Sequence, residues 1–190
     1  MKIAWIRHGS TSWNKEKRAQ GGSDIPLDDE GNQQAALLST RLGKESWDVL
    51  YSSPLKRAVQ TAQAAADELN VTIHLDERLQ EVGGGQIEGT TESERIEKWG
   101  EGWRDLDLGR EPEEDVLKRC RSFIDDLRAE HQGKQILVVS HGGIISQMLH
   151  VLDPSRVNEE TMKNTSISEV VLRDNQWSCE RFNCTRHLDM

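Results

Sequence analysis

The stretch ILVVSHGGII, residues 136–145, decides the fold. Its first four residues are apolar and predict a buried strand, after which the apolar residues take the spacing of a helix. Between the two lies Ser140-His141-Gly142-Gly143, where glycines allow a tight turn from strand to helix. A buried strand that leads directly into a helix is typical of the β/α units that build a parallel sheet.

Short apolar runs bounded by turn residues predict five further strands in the rest of the chain. They lie at residues 3–6, 49–51, 71–75, 167–172 and 177–182. The last two strands are joined by Asp174-Asn175, which is typical of a hairpin. The sheet is therefore expected to contain at least one antiparallel strand.

Apolar residues at helical spacing predict helices between these strands. One helix follows Asp28, which is suited to cap it, and closes at Gly43. The next is predicted to use Ser53 as its N-cap and Pro54 as its first residue, and another begins at about Pro112. The alternation predicts an α/β fold, a three-layer α/β/α sandwich around a mostly parallel sheet.

The 190 residues contain no repeat, low-complexity tract or linker, so we expect a single domain over residues 1–190. Residues 76–110 interrupt the alternation because they are rich in glycine and less periodic. This segment is expected to form a helical and glycine-rich excursion over the sheet.

The composition argues against several classes of partner. Acidic residues outnumber basic ones by 33 to 24, and the net charge of −9 disfavours binding to nucleic acids or to anionic membrane surfaces. The apolar runs are too short for a membrane span or a signal peptide. Three cysteines without a CxxC pair argue against a disulfide framework and a zinc cluster. A cytoplasmic protein is expected.

Basic and histidine side chains follow several of the predicted strands. Arg7 and His8 end the first strand, Arg57 lies early in the helix after the second, and His141 ends the strand at 136–139. Ligands bind beyond the carboxyl ends of the strands in such sheets. A cationic pocket in an acidic chain favours a small anion, and phosphate suits two forked guanidiniums best. Two histidines are also compatible with a metal, but no spaced carboxylate or cysteine ligands complete such a site.

Five blocks of sequence, in order, resemble the histidine phosphatase superfamily, also called the phosphoglycerate mutase-like family, over nearly the whole chain. The blocks are RHGSTSWN at 7–14, DIPL at 24–27 with Gly31 and Gln34-Ala35, SSPLKRA at 52–58 with Gln60-Thr61-Ala62, LQE at 79–81 with Gly85 and Glu88-Gly89, and VSHGG at 139–143. Each block is modest alone, and their joint order is what makes the resemblance specific.

The resemblance implies a phosphohistidine mechanism without a metal or another cofactor. His8 would be the nucleophile, and Glu81 would first protonate the leaving oxygen and then activate water. Arg7 and Arg57 are expected to lower the pKa of His8 and so keep it neutral. The groups expected to bind the phosphate are Arg7, Arg57, His141, Thr11, Asn14, Gln20, Gly21 and the Gly142 amide.

Departures from the family pattern bear on the substrate. Val82 stands where mutases usually place an arginine, and Gly84 and Ile87 stand where aromatic residues are frequent. These differences favour hydrolysis of a small phosphorylated metabolite. A phosphoglycerate mutase-type transferase and a non-catalytic phospho-ligand binding module are the alternatives. A homodimer is the one protein association kept open.

Overall fold

Six strands form one sheet in the order β3-β2-β4-β1-β5-β6. The strands are β1 (Lys2–Arg7), β2 (Val49–Ser52), β3 (Ile73–Leu75), β4 (Gln135–Ser140), β5 (Ile167–Arg173) and β6 (Gln176–Cys184). In this computed structural model, which describes residues 1–155 and 161–189, the first four strands are parallel. The closing hairpin is antiparallel to β1, so the predicted mostly parallel sheet with an antiparallel addition is confirmed.

Helices cover both faces of the sheet. They are α1 (Ser12–Lys15), α2 (Asp29–Leu42), α3 (Lys56–Leu69), α4 (Glu92–Trp99), α5 (Glu113–Glu130) and α6 (Gly142–Leu152). The central strand β1 alternates its side chains: Ile3 and Trp5 pack in the core beneath α5 and α6, whereas Ala4 and Ile6 pack beneath α2 and α3. All four side chains are buried, and the predicted three-layer α/β/α sandwich is confirmed.

The prediction for the start of the second long helix was wrong. Helix α3 begins at Lys56 with Leu55 as its N-cap, two residues later than Ser53 and Pro54 suggested. Leu55 offers no side-chain cap, and the Lys56 amide donates instead to Asp24 Oδ1 at 2.6 Å. Ser53 is therefore not the N-cap, and its hydroxyl faces the cluster of residues at the strand ends.

Strand β3 is shorter than the predicted run 71–75. Asn70 takes a left-handed conformation with φ of 53° at the end of α3, and the Val71 amide donates to Ala66 O in the last helical turn. The chain is thus still completing the helix when the apolar run begins, so pairing with β2 starts only at Ile73.

The segment 76–110 leaves the sheet after β3 and forms α4 together with short 3₁₀ turns. It returns to the layer of helices at Pro112, the N-cap residue of α5, which agrees with the predicted helix start at about Pro112. None of the helices in residues 1–155 and 161–189 has the length and apolar character needed to cross a membrane.

Candidate active site

The ends of three neighbouring strands bring distant parts of the sequence together. Strands β2, β4 and β1 are adjacent, and Arg57, His141 and His8 follow their carboxyl ends. The rings of His8 and His141 lie 5.2 Å apart between centroids, and Arg57 Nε lies 3.2 Å from His141 Nδ1. All three side chains are 2% exposed or less. The structure therefore brings these predicted residues into one buried, cationic cluster.

His8 is held through one of its two ring nitrogens. Its Nδ1 donates to the carbonyl oxygen of Gly9 at 2.7 Å, which fixes the proton on Nδ1 because a carbonyl can only accept. Burial, followed by the charges of Arg7 and Arg57, holds the pKa of His8 well below its ordinary value. The ring is therefore neutral at physiological pH, and Nε2 carries the lone pair of a nucleophile.

The backbone around His8 requires glycine for close approach. A Cβ on Gly9 would lie 2.6 Å from the carbonyl oxygen of Gly31, at the start of α2. The Gly9 amide donates to Thr61 Oγ1 at 3.0 Å on α3. Two helices thus fix the turn that follows β1 and, with it, the direction of the His8 ring.

Arg7 supplies a partly buried positive charge. One of its terminal nitrogens donates to Met162 O, and its Nε is buried with no hydrogen-bond partner among the described residues. Burial lowers the pKa of Arg7 and the negative charge of Glu81 opposes that effect. A buried N–H without an acceptor is costly, so this donor is suited to an oxygen of a bound anion.

Arg57 is fixed by three acceptors. It donates to Ser23 O at 2.5 Å, to Gly21 O at 2.8 Å and to His141 Nδ1 at 3.2 Å. Three of the five N–H groups of the guanidinium are used in this way. Burial lowers the pKa of Arg57 to about 10, so the side chain stays charged at neutral pH. The remaining donors are available to an anion at the cluster.

His141 is also neutral, and its tautomer follows from its neighbours. Because Arg57 donates to Nδ1, the proton lies on Nε2, which donates to Ser53 Oγ at 2.7 Å. Burial, followed by the charges of His8 and Arg57, lowers the pKa of His141 well below its ordinary value. Ser53 is the site residue that sequence analysis missed. Its place directly after β2 and before Arg57 was the available signal.

Glu81 comes from outside the sheet and lies at the start of α6. Its carboxylate accepts from the amides of Val82 at 2.9 Å, Ile144 at 3.0 Å and Gly143 at 3.1 Å. A Cβ on Gly143 would lie 2.6 Å from Glu81 Oε1, so the glycine makes room for the carboxylate. His141 is the N-cap of the same helix, which places the acid and the histidine cluster at one helix terminus.

Thr11 and Asn14, two predicted phosphate-binding residues of the first block, form the N-terminal cap of α1. Thr11 caps this helix, and Asn14 Oδ1 accepts from the Thr11 amide at 3.1 Å and from Asn164 Nδ2 at 3.3 Å. Asn164 also donates to His8 O at 2.9 Å. Thr11 and Asn14 therefore lie beside the nucleophile, and their contact with phosphate stays a prediction.

Three further residues of the predicted set surround the cluster. Gln20 and Gly21 line a cleft of about 710 Å³ that also contains Glu81 and Gly143. Gly21 has φ of 47° and presents its carbonyl to Arg57. Gly142 begins α6, and a Cβ there would lie 3.6 Å from Arg7 Nε. The excursion supplies the other wall of this cleft through residues 82–84 and 105–108.

Glu88, the other acid of the fourth block, is bound by the protein. Its carboxylate accepts from the amides of Gly22 and Gly84, both at 2.9 Å, and from Ser23 Oγ at 2.8 Å. Burial raises the pKa of Glu88, but these hydrogen bonds outweigh it and hold the pKa below its usual value. Glu88 is therefore a charged clamp between two loops and is poorly suited to donate a proton.

No group of three or more His, Cys, Asp or Glu side chains suited to hold a metal ion occurs in the described part of the chain. The positive charge at the strand ends comes from Arg7 and Arg57, and no disulfide joins Cys120, Cys179 and Cys184 within the described residues.

Comparison with known proteins identifies the family of this chain. Residues 3–185 match the family model of the histidine phosphatase superfamily (branch 1). The chain is 33% identical to phosphoglycerate mutase-like protein 4 of Arabidopsis thaliana, with 99% of this chain and 87% of that protein covered. It is 31% identical to phosphoserine phosphatase 1 of Hydrogenobacter thermophilus, with 99% and 94% covered.

A solved structure extends the likeness to three dimensions. Mycobacterial glucosyl-3-phosphoglycerate phosphatase, in complex with VO3, superimposes with a TM-score of 0.88 at 27% identity and covers 96% of this chain and 98% of its own. The likeness to phosphatases supports a phosphomonoester hydrolase. With the resemblance of the five blocks and the predicted fold both confirmed, this chain belongs to the histidine phosphatase superfamily.

Proposed function

We propose that this protein hydrolyses a small phosphomonoester in two steps, with the phosphoryl group carried by His8 Nε2. The observation that carries the proposal is the state of His8: a neutral ring, its Nδ1 proton donated to Gly9 O, buried beside two guanidiniums. Such a ring can attack phosphorus and still keep its hydrogen bond once it becomes a cation.

In the first step, His8 Nε2 forms a bond to phosphorus as the ester P–O bond breaks. The leaving oxygen takes a proton from Glu81, and the alcohol departs. In the second step, water attacks phosphorus, its proton passes to Glu81 and the P–N bond breaks. Inorganic phosphate leaves and His8 is neutral again, so protons and atoms balance over the cycle.

Charge on the transferring group is stabilised by the buried cations. Arg7 and Arg57 supply N–H donors to the equatorial oxygens, where charge concentrates during transfer. The Gly142 amide at the start of α6 adds a donor and the positive end of the helix dipole. His141 supplies a further donor when its Nε2–H exchanges its hydrogen bond to Ser53 for one to an oxygen of the phosphate.

The cleft beside Glu81 is where the alcohol portion of the substrate is bound. Val82 and Gly83 line it next to the acid, and neither offers a charged donor to a substrate carboxylate. Relatives are named as phosphatases and as phosphoglycerate mutase-like proteins. The uncharged residues Val82 and Gly83 next to the acid favour hydrolysis over transfer. The same site argues against a non-catalytic binding module, because both a nucleophile and an acid are present.

Four other properties form part of the proposal. The chain acts as one histidine phosphatase domain with residues 76–110 over the site. Its ligand is a small phosphorylated metabolite, and we expect no binding to nucleic acids or membranes. A homodimer stays an open prediction. It acts in the cytoplasm, where its three cysteines would stay reduced.

A screen of small phosphomonoesters in the presence of EDTA tests the proposal. Phosphate release is expected to persist in EDTA, because the positive charge comes from Arg7 and Arg57. Product analysis of a phosphoglycerate separates the alternatives, since an isomerised ester indicates transfer and free phosphate indicates hydrolysis. Loss of turnover in EDTA that zinc or magnesium restores would overturn the metal-free mechanism.

A further inference from the structure

One arginine of α5 ties down the backbone on the acid side of the site. Arg119 donates through Nη1 to Gln80 O and to Arg78 O, both at 2.7 Å, and its Nη2 lies 3.4 Å from Glu81 O. Glu81 itself lies in a segment without helix or strand. The guanidinium therefore anchors the main chain on the N-terminal side of the acid.

Glu111 completes the anchor on the other side of Glu81. Its carboxylate pairs with Arg119 at 2.7 Å and 2.8 Å and accepts from the Gly83 amide at 3.0 Å. The Glu111 amide in turn donates to Gly83 O at 2.9 Å. The side chains of Arg119 and Glu111 are only 18% and 22% exposed. One ion pair thus holds the backbone both before and after Glu81.

An anchor of this kind is needed because the bonds of Glu81's own carboxylate change during the reaction. In the structure the carboxylate is fixed by the amides of Val82, Gly143 and Ile144. When Glu81 binds a proton it loses negative charge, and these charge-assisted bonds weaken. The position of the carboxyl group must then come from the backbone, where a displacement of about 1 Å can cost about 100-fold in rate.

We propose that Arg119 and Glu111 form a positioning pair for the Glu81 carboxyl group. The pair keeps this group within hydrogen-bonding distance of the ester oxygen in the first step and of the attacking water in the second. The inference rests on the proposed function, in which Glu81 is the acid and base. Neither Arg119 nor Glu111 touches the reacting atoms in this account, so their loss is expected to impair proton transfer and to leave phosphoryl binding intact.

Burst kinetics of Arg119→Ala with two substrates test the proposal. With an aryl phosphate of an acidic phenol, the first step needs no proton, so the burst is expected at a rate within about threefold of the parent. Steady-state turnover is expected to fall about 10- to 100-fold, because water activation depends on Glu81. With an alkyl phosphate, the first step is expected to slow by a similar factor. Vanadate affinity is expected to stay within about twofold.

Arg78→Ala is the matched control. Arg78 lies in the same segment and also binds α5, through Ser122 Oγ at 2.9 Å and Asp126 Oδ2 at 2.6 Å, but its side chain does not anchor the backbone next to Glu81. This variant is expected to keep the parental dependence on the leaving group. Arg119→Lys retains the charge but lacks the planar fork that binds the Glu111 carboxylate and the two carbonyls at once, so it is expected to lie between the parent and Arg119→Ala.

Different results would overturn the inference and the proposed function. The positioning role is wrong if Glu81→Gln keeps the aryl burst but loses water activation and alkyl turnover, while Arg119→Ala behaves like the parent. It is also wrong if Arg119→Ala slows the aryl burst as much as alkyl turnover. If Glu81→Gln itself turns over both substrates like the parent, the proposed role of Glu81 fails first. Should Arg119→Ala not fold, Glu111→Gln is measured in its place, with the same selective pattern expected and the same contradicting results.

Discussion

The two sides of the site are built in different ways. His8, Arg57 and His141 stand at the ends of neighbouring strands, are almost fully buried, and are fixed by bonds to the turns and helix starts that follow those strands. Glu81, in contrast, is half-buried on the excursion and is fixed by backbone amides and by the Arg119–Glu111 pair.

The difference matches the tasks of the two sides. Stabilising a transferring phosphoryl group needs fixed charges in a dry environment, which the sheet provides. Proton transfer to varied leaving groups needs an acid next to an open cleft, which a loop provides. Changes on the strand side are therefore expected to affect all substrates equally, and changes on the acid side to depend on the leaving group.

The largest effect is expected from Arg57→Ala. Loss of a buried donor to the transferring group is expected to lower kcat/KM about 100-fold or more, and by the same factor for aryl and alkyl phosphates. The fold should persist, which circular dichroism checks, and Lys56→Ala, whose exposed side chain points away to Asp24, serves as the control. Near-normal kinetics in a folded Arg57→Ala would remove Arg57 from the site.

A smaller effect is expected from Glu88→Ala. This substitution releases the loop whose carbonyls, at Gly21 and Ser23, hold Arg57. Vanadate affinity and kcat/KM are expected to fall about 10-fold together, because the hydrogen bonds of one charged clamp are lost. The exposed Glu97→Ala is the control. A decrease confined to alkyl phosphates would instead assign Glu88 to the acid side.

The smallest effect concerns stability against pH. Burial lowers the pKa of His8, His141 and His187, the last to about 4. The unfolded chain takes up these protons at about pH 6.5 and the folded chain only at lower pH. The unfolded state therefore binds more protons below about pH 6.5, and the free energy of unfolding is expected to fall as the pH drops from there towards 4.

Urea titrations at several pH values measure this slope. His187→Gln is expected to reduce the slope, since the buried ring of His187 bonds Thr165 and Arg41. The exposed His150→Gln is the control for the loss of a histidine. A flat profile in the parent between pH 7 and 4 would contradict the buried neutral histidines.

The strand side of the site could be predicted from the sequence to a greater extent than the acid side. The buried strand and the turn at His141 predicted the sheet and placed Arg57 and His8 at its edge, because periodicity and strand ends are local signals. Glu81 followed only from the resemblance to a known family. Its bonds to α6 and to Arg119 join residues far apart in the chain, and no local pattern marks such contacts.

The errors have the same origin. Ser53-Pro54 carries the usual signal for a helix start, but the Ser53 hydroxyl is held by His141, which lies 88 residues away. The backbone cap of α3 is likewise supplied from a distance, by Asp24. Tertiary contacts at the site thus overrode the local preference of the chain.

Trapping the phosphoryl group is the direct test that His8 carries it during the reaction. Glu81→Gln is mixed with an aryl phosphate of an acidic phenol, and the reaction is quenched in base after the burst. We expect about one equivalent of phenol per site and a phosphate that is base-stable and acid-labile, located on His8 by mass spectrometry of the peptides. Phosphate on another residue, or turnover of both substrate classes like the parent with no phosphate on the protein, would contradict the account.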